Sequence, residues 1–144
     1  MILIDVNVLV YAHREDADQN VKFRRWLETR LDGSEPVGLS ELVLSGVLRV
    51  LTHPKVFSPP TPTEKALAYT DELRSHPNAR IVRPAARHWE IFTDLVRRTG
   101  CKGNLVPDAY HAALAIEWGC EWVTTDRGFS RFSQLRWRHP LEEA

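Results

Sequence analysis

Cysteine is almost missing from this chain: Cys101 and Cys120 are the only two in 144 residues. So few, without zinc or redox spacing, exclude a disulfide scaffold and a thiol metal centre. Two free thiols in a reducing cytoplasm are expected, with a single bridge as the other option. No apolar run approaches the roughly 20 residues that span a bilayer. The opening MILIDVNVLV carries neither a basic leader nor a small-residue cleavage site, so no export signal is expected. There is no excess charge either: 19 basic and 19 acidic side chains cancel. That argues against coating nucleic acid by bulk electrostatics, which needs clustered cations to displace counterions. P-loop, GxGxxG, HExxH and Ser-His-Asp patterns are all lacking, as are internal repeats, low-complexity tracts and long linkers. What is present is ordinary for a folded protein, 43% hydrophobic and 26% charged residues. A chain of this length can bury about two-thirds of its unfolded surface in one core.

Short apolar runs alternate with helical patterns. Ile2 to Ile4 reads as a buried strand, followed by a short helix from Val6 to Ala12. Asp16 or Asp18 is placed to cap a helix running through Leu31 and ending near Gly33. Pro36 to Leu39 is the second strand. From Ser40, the three- and four-residue recurrence of Leu44, Val47, Leu48 and Leu51 predicts a helix stopped by His53-Pro54. Lys55 to Pro62 is a proline-rich loop. Thr61 and Glu64 around Pro62 match a capping box, predicting a helix to about His76. Arg80 to Arg83 reads as a strand and Ala86 to Thr99 as a helix with Gly100 as its stop. Pro107 opens an alanine-rich helix ended by Gly119, and strands follow at Glu121 to Thr125 and, on the edge, at Arg136 to Arg138. Strands separated by helices imply a parallel α/β sheet covered on both faces.

Ligands in such folds bind beyond the carboxyl ends of the strands. Asp5, Glu41 and Asp126 each follow a strand, and Asp108 opens a helix. Singly, such acids are turn formers or complements to a helix dipole. Four of them on one rim would repel one another, which makes physical sense around a hard divalent cation. Mg²⁺ held there suits phosphodiester hydrolysis. His111, one turn after Asp108, is the only histidine near this set, and packing is its simpler role. Between Arg127 and Leu141 there are four arginines (Arg127, Arg131, Arg136, Arg138) and His139, interleaved with Phe129, Phe132 and Trp137. Such a stretch either grips a backbone and stacks bases or contributes core aromatics beside solvated arginines.

The motifs MILIDVNVLVYAH, PDAYHAALA and TTDRGFSRF, in that order, resemble the PIN domain over nearly the whole chain. Within it they resemble the VapC toxins of bacterial VapBC toxin–antitoxin pairs. The resemblance implies one PIN domain over residues 1–144, a three-layer α/β/α sandwich around a parallel sheet of four to five strands. It implies a cytoplasmic endoribonuclease dependent on Mg²⁺ or Mn²⁺ that blocks translation by cutting tRNA, rRNA or mRNA. A VapB antitoxin would cover the acidic site, and a homodimer or hetero-oligomer would form. By residue, Asp5, Asp108 and Asp126 match the metal-binding aspartates, with Asn7 and Thr124 supporting them; Arg127 and Arg131, from the basic stretch, are the candidates to contact RNA. The family glutamate falls at Gly46 in this register, leaving Glu41 as the nearest acid to complete a catalytic set. A further family acid, two residues after the late one, falls at Gly128. These two glycines keep open a PIN scaffold that binds RNA or protein without cutting. A dehalogenase-like phosphatase is the other enzyme option, but it needs an acid where Asn7 stands.

Overall fold

The computed structural model of the chain describes residues 1–142. Five short strands, β1 (Ile2–Ile4), β2 (Val37–Leu39), β3 (Ala79–Ile81), β4 (Glu121–Val123) and β5 (Trp137–Arg138), form one sheet. Their order is β3-β2-β1-β4-β5, and every pairing is parallel. In register, Ile2 faces Val37 on one side and Glu121 on the other. The central strand is buried throughout, which is why Ile2-Leu3-Ile4 is apolar without alternation. Six helices connect the strands: α1 (Val6–His13), α2 (Asn20–Leu31), α3 (Glu41–Leu51), α4 (Thr63–Ser75), α5 (His88–Thr99) and α6 (Val106–Trp118).

From β1 the chain walks outward through β2 to β3, then returns through α5 and α6 to β4 on the far side of β1. Parallel crossovers are right-handed, so reversing direction moves the connecting helices to the opposite face. The packing agrees. Helix α1 packs on α2 and α3, and α3 on α4, while α5 and α6 pack on each other. The result is the expected α/β/α sandwich.

Helix ends follow local chemistry. Ser40 caps α3 by accepting from the Val43 N–H at 3.5 Å. Gly100 and Gly119 close α5 and α6 at φ +65°, a left-handed conformation that costs glycine nothing. Two expected starts are corrected. Helix α2 is capped by neither Asp16 nor Asp18 and begins at Asn20. Asp16 is taken up by Arg14, whose Nε and Nη2 donate to it at 2.8 and 2.6 Å. Asn20 Nδ2 instead ties the helix start to the Tyr11 carbonyl at 2.7 Å. The Thr61–Glu64 capping box does not form either. Pro62 is extended (ψ 141°) and the helix starts at Thr63. Thr61 Oγ1 accepts from Arg14 Nη1 at 3.3 Å, and its N–H donates to the Leu51 carbonyl at 2.8 Å.

Cys101 and Cys120 are buried and unpaired. Among the described residues no helix is long and apolar enough to cross a membrane.

Candidate functional site

The strand order changes direction between β1 and β4, and in parallel α/β sheets the crevice where ligands bind lies beyond the carboxyl ends of the strands at such a switch point. Asp5 follows β1 there, still held to the sheet by its N–H on the Val123 carbonyl at 2.9 Å. Its Oδ1 caps α1 by accepting from the Val6 N–H at 2.7 Å. Its Oδ2 accepts from Thr124 Oγ1 at 2.7 Å and from Asn7 Nδ2 at 3.2 Å. Thr124, fully buried beyond β4, also accepts from the Asp126 N–H at 3.0 Å. Asn7 Oδ1 accepts from the Thr125 N–H at 3.2 Å, closing a network across the two central strands. Thr125 acts through its backbone, so no side-chain pattern marks it in the sequence.

Asp126 opens a 3-10 turn, Arg127–Arg131, by accepting from the Gly128 N–H at 2.8 Å. Asp108 lies in the first turn of α6 with Pro107 beside it. A file of rings joins these two elements. His111 of α6 stacks on Trp122 of β4 (5.3 Å, 17°), Trp122 packs against Phe129 (5.4 Å), and Phe129 against Phe132 (6.0 Å). Phe129 and Phe132 are therefore core side chains, and stacking bases is not their role.

The carboxylates feel burial and one another. Burial, first of all, pushes Asp5 up to about 6, and the negative charges of Asp108 and Asp126 push the same way. The Thr124 and Val6 hydrogen bonds oppose them. Asp108 is also raised, by burial and then by Asp126, with Arg131 opposing. His111 is lowered to about 4, chiefly by burial, and its Nδ1 has no partner. A neutral ring packed on Trp122 is a structural element rather than a proton donor.

Glu41 is not brought to this cluster. Its carboxylate pairs with Arg83 Nε at 3.0 Å and Arg74 Nη2 at 3.5 Å, on the β2–β3 side of the sheet. It follows β2 as expected, but α3 starts there and its first residue turns toward those arginines. Gly46 offers no substitute, because a Cβ there would stand 2.8 Å from Val6 Cγ2. Of the two arginines expected near RNA, Arg127 pairs with Glu142 and Arg131, still exposed, with Asp108 at 3.4 Å.

Asp5, Asp108 and Asp126 offer only oxygen ligands, the donor set of a hard cation. Among the described residues no three acidic, histidine or cysteine side chains converge tightly enough to enclose an ion by themselves.

The PIN domain family matches residues 2–135. Ribonuclease VapC43 of Mycobacterium tuberculosis is 44% identical over 142 residues, covering 99% of this chain and 97% of the relative. Ribonuclease VapC33 of the same species is 34% identical over 143 residues, covering 99% and 100%. Among solved structures, VapBC2 from Rickettsia felis bound to a promoter DNA fragment superposes with TM-score 0.71 at 22% identity, covering 96% of this chain and 98% of that one. Mycobacterium tuberculosis VapC20, a sarcin-ricin-loop-cleaving toxin, superposes with TM-score 0.66 at 18% identity, covering 94% and 99%. With the ordered acids at the crevice and kinship over nearly its full length, the chain belongs to the PIN-domain family, among the VapC ribonucleases.

Proposed function

We propose that this chain is a Mg²⁺-dependent endoribonuclease, the toxin of a type II toxin–antitoxin pair that cuts RNA and stops translation. The observation that carries the reading is the trio Asp5, Asp108 and Asp126 at the sheet's crevice, with Asp5 buried and pushed up to about 6. Raised, mutually repelling carboxylates at a ligand-binding edge are costly without a cation, and functional sites are where such costs gather. Asp5, Asp108 and Asp126 would hold Mg²⁺, or Mn²⁺ in its place. The ion would supply Lewis-acid stabilisation of phosphoryl charge and a more acidic bound water. Thr124 and Asn7 orient Asp5 by donating to its Oδ2, and Thr125 fixes Asn7 in turn. The whole of residues 1–144 is read as one such domain, working in the cytoplasm on tRNA, rRNA or mRNA. Kinship with VapC ribonucleases and a fold shared with VapBC complexes support a VapB-type antitoxin as partner, with homodimers or toxin–antitoxin hetero-oligomers as the assembly.

A second reading, a PIN scaffold that binds without cutting, is favoured by one observation: Glu41 is committed to Arg74 and Arg83 and leaves the site an acid short. Purified chain incubated with total bacterial RNA, with and without Mg²⁺ or Mn²⁺, separates the two. Metal-dependent cuts are expected from wild type, with at least a hundredfold loss in Asp5→Ala and Asp108→Ala. Equal cutting by all three proteins sinks the nuclease assignment. RNA retention without cutting selects the scaffold.

A further inference from the structure

Arg131, exposed at the rim of the site, reaches back to the acids. Its Nη1 donates to Asp108 Oδ2 at 3.4 Å, and both side chains are more than half covered. Gly128 shows how near the same guanidinium comes to Asp126. A Cβ built on that glycine would lie 2.9 Å from Asp126 Oδ1 and 3.0 Å from Arg131 Nη2. Both atoms stand about 3 Å from one point, so the guanidinium is within about 6 Å of the Asp126 carboxylate. The absent side chain at 128 is what leaves room for this approach. The arginine is also aimed by its own segment: Asp126 caps the turn, Phe129 and Phe132 are sunk in the core on either side of residue 131, and its Cζ lies 5.9 Å from the Phe132 ring.

We propose that Arg131 is a built-in second cation of the acidic site, filling the Asp108–Asp126 side so that the cluster takes up one divalent ion rather than two. The inference rests on the metal-dependent reading above. Charge supports it. Three ionised aspartates are neutralised by one guanidinium and one divalent ion, and a second divalent ion would then leave an excess of two positive charges, against one when Arg131 is absent. Without Arg131 the same three acids are one charge short of neutral with one ion, and the space beside Asp108 and Asp126 opens. Arg131 is thus a positioning residue that sets metal stoichiometry. Guanidinium is suited to this because its charge is permanent and its planar fork fits carboxylate oxygens.

The test counts bound Mn²⁺ by electron paramagnetic resonance of the free ion at pH 7.5, on the full chain freed of any partner. Wild type is expected to bind one ion. Arg131→Gln is expected to bind two, and Arg131→Lys, which keeps a charge, to return to one. Circular dichroism and thermal melts check that each variant is folded. Should Arg131→Gln misfold, Arg131→Met, which keeps the bulk of the side chain without its charge, is counted in its place. Two ions in wild type, a second ion in Arg131→Lys, or only one in folded Arg131→Gln overturns the inference while leaving metal-dependent cleavage intact. No ion in any of the proteins overturns the metal-dependent reading beneath it, an outcome distinct from a wrong count.

Discussion

Asp5 serves two masters, the helix it caps and the cleft it faces. Burial makes its ionised form expensive and lifts it from 3.8 to about 6, although three donors favour the charge. The folded carboxyl therefore keeps a proton that the unfolded chain releases. This group's stabilisation is fully present below about 3.8 and is lost as pH rises through about 6. A shift of this size corresponds to about 3 kcal/mol in the limit. Urea unfolding of metal-free protein at pH 4, 5, 6 and 7, set against Asp5→Asn, is expected to show the wild type losing its relative advantage across that window. A difference flat with pH would show that Asp5 ionises in the fold as it does in water. The places of Asp5, Asp108 and Asp126 were legible in the sequence because Asp5 and Asp126 follow strands and Asp108 opens a helix, positions that periodicity locates. Glu41 fits the same rule and yet points elsewhere. Its partners Arg74 and Arg83 are 33 and 42 residues further along the chain, and no local pattern announces an ion pair across such distances.

Among the elements, α3 and α1 show how a missing side chain can be a packing device. Gly46 lies mid-helix, where glycine costs about 1 kcal/mol relative to alanine. Its compensation is contact, since Val6 Cγ2 occupies the space a Cβ would need. Val6 is β-branched and stiff, so it cannot easily retreat. Gly46→Ala is therefore expected to destabilise the protein by about 1–2 kcal/mol net, overpacking outweighing the gain in helix propensity. Val6→Ala in the same chain is expected to recover part of the loss, measured as a coupling in a double-mutant cycle by thermal or urea unfolding. A stabilised Gly46→Ala would show that α1 and α3 have slack between them. Strand and helix identities followed from apolar runs and from the Gly100, Pro107 and Gly119 punctuation. The two helix starts that sequence misplaced failed for one reason. Arg14 engages both Asp16, two residues on, and the Thr61 hydroxyl, far along the chain, so residues with the right chemistry to cap were already taken by one guanidinium.

Taken together, the elements make a sheet whose class was readable and whose strand order was not. Alternation of strand and helix implies parallel pairing, but nothing local states that β4 returns past β1 instead of extending beyond β3. That return builds the candidate site, because it puts Thr124 and Asp126 beside Asp5. Filling the crevice with a cation should stabilise the native chain alone, since the unfolded chain scatters the same acids over more than a hundred residues. Mn²⁺ at about a hundredfold over its Kd is expected to add about 2.7 kcal/mol, seen as an upward shift of the thermal midpoint that grows with concentration. Asp5→Ala should lose most of that shift. A midpoint unmoved by Mn²⁺ in wild type would argue that the native cleft does not bind it.

The file of rings from His111 through Trp122 to Phe129 has a consequence for tolerance. It runs from the helix that bears Asp108, across a strand, to the turn that bears Asp126. The gap between those two acids is thus gauged by a spacer of aromatic carbon, which neither swells with ionic strength nor shrinks with pH. A substitution thinning any one of these buried rings would alter the gauge without touching an acid, which makes the packing of the interior a determinant of the candidate site's geometry.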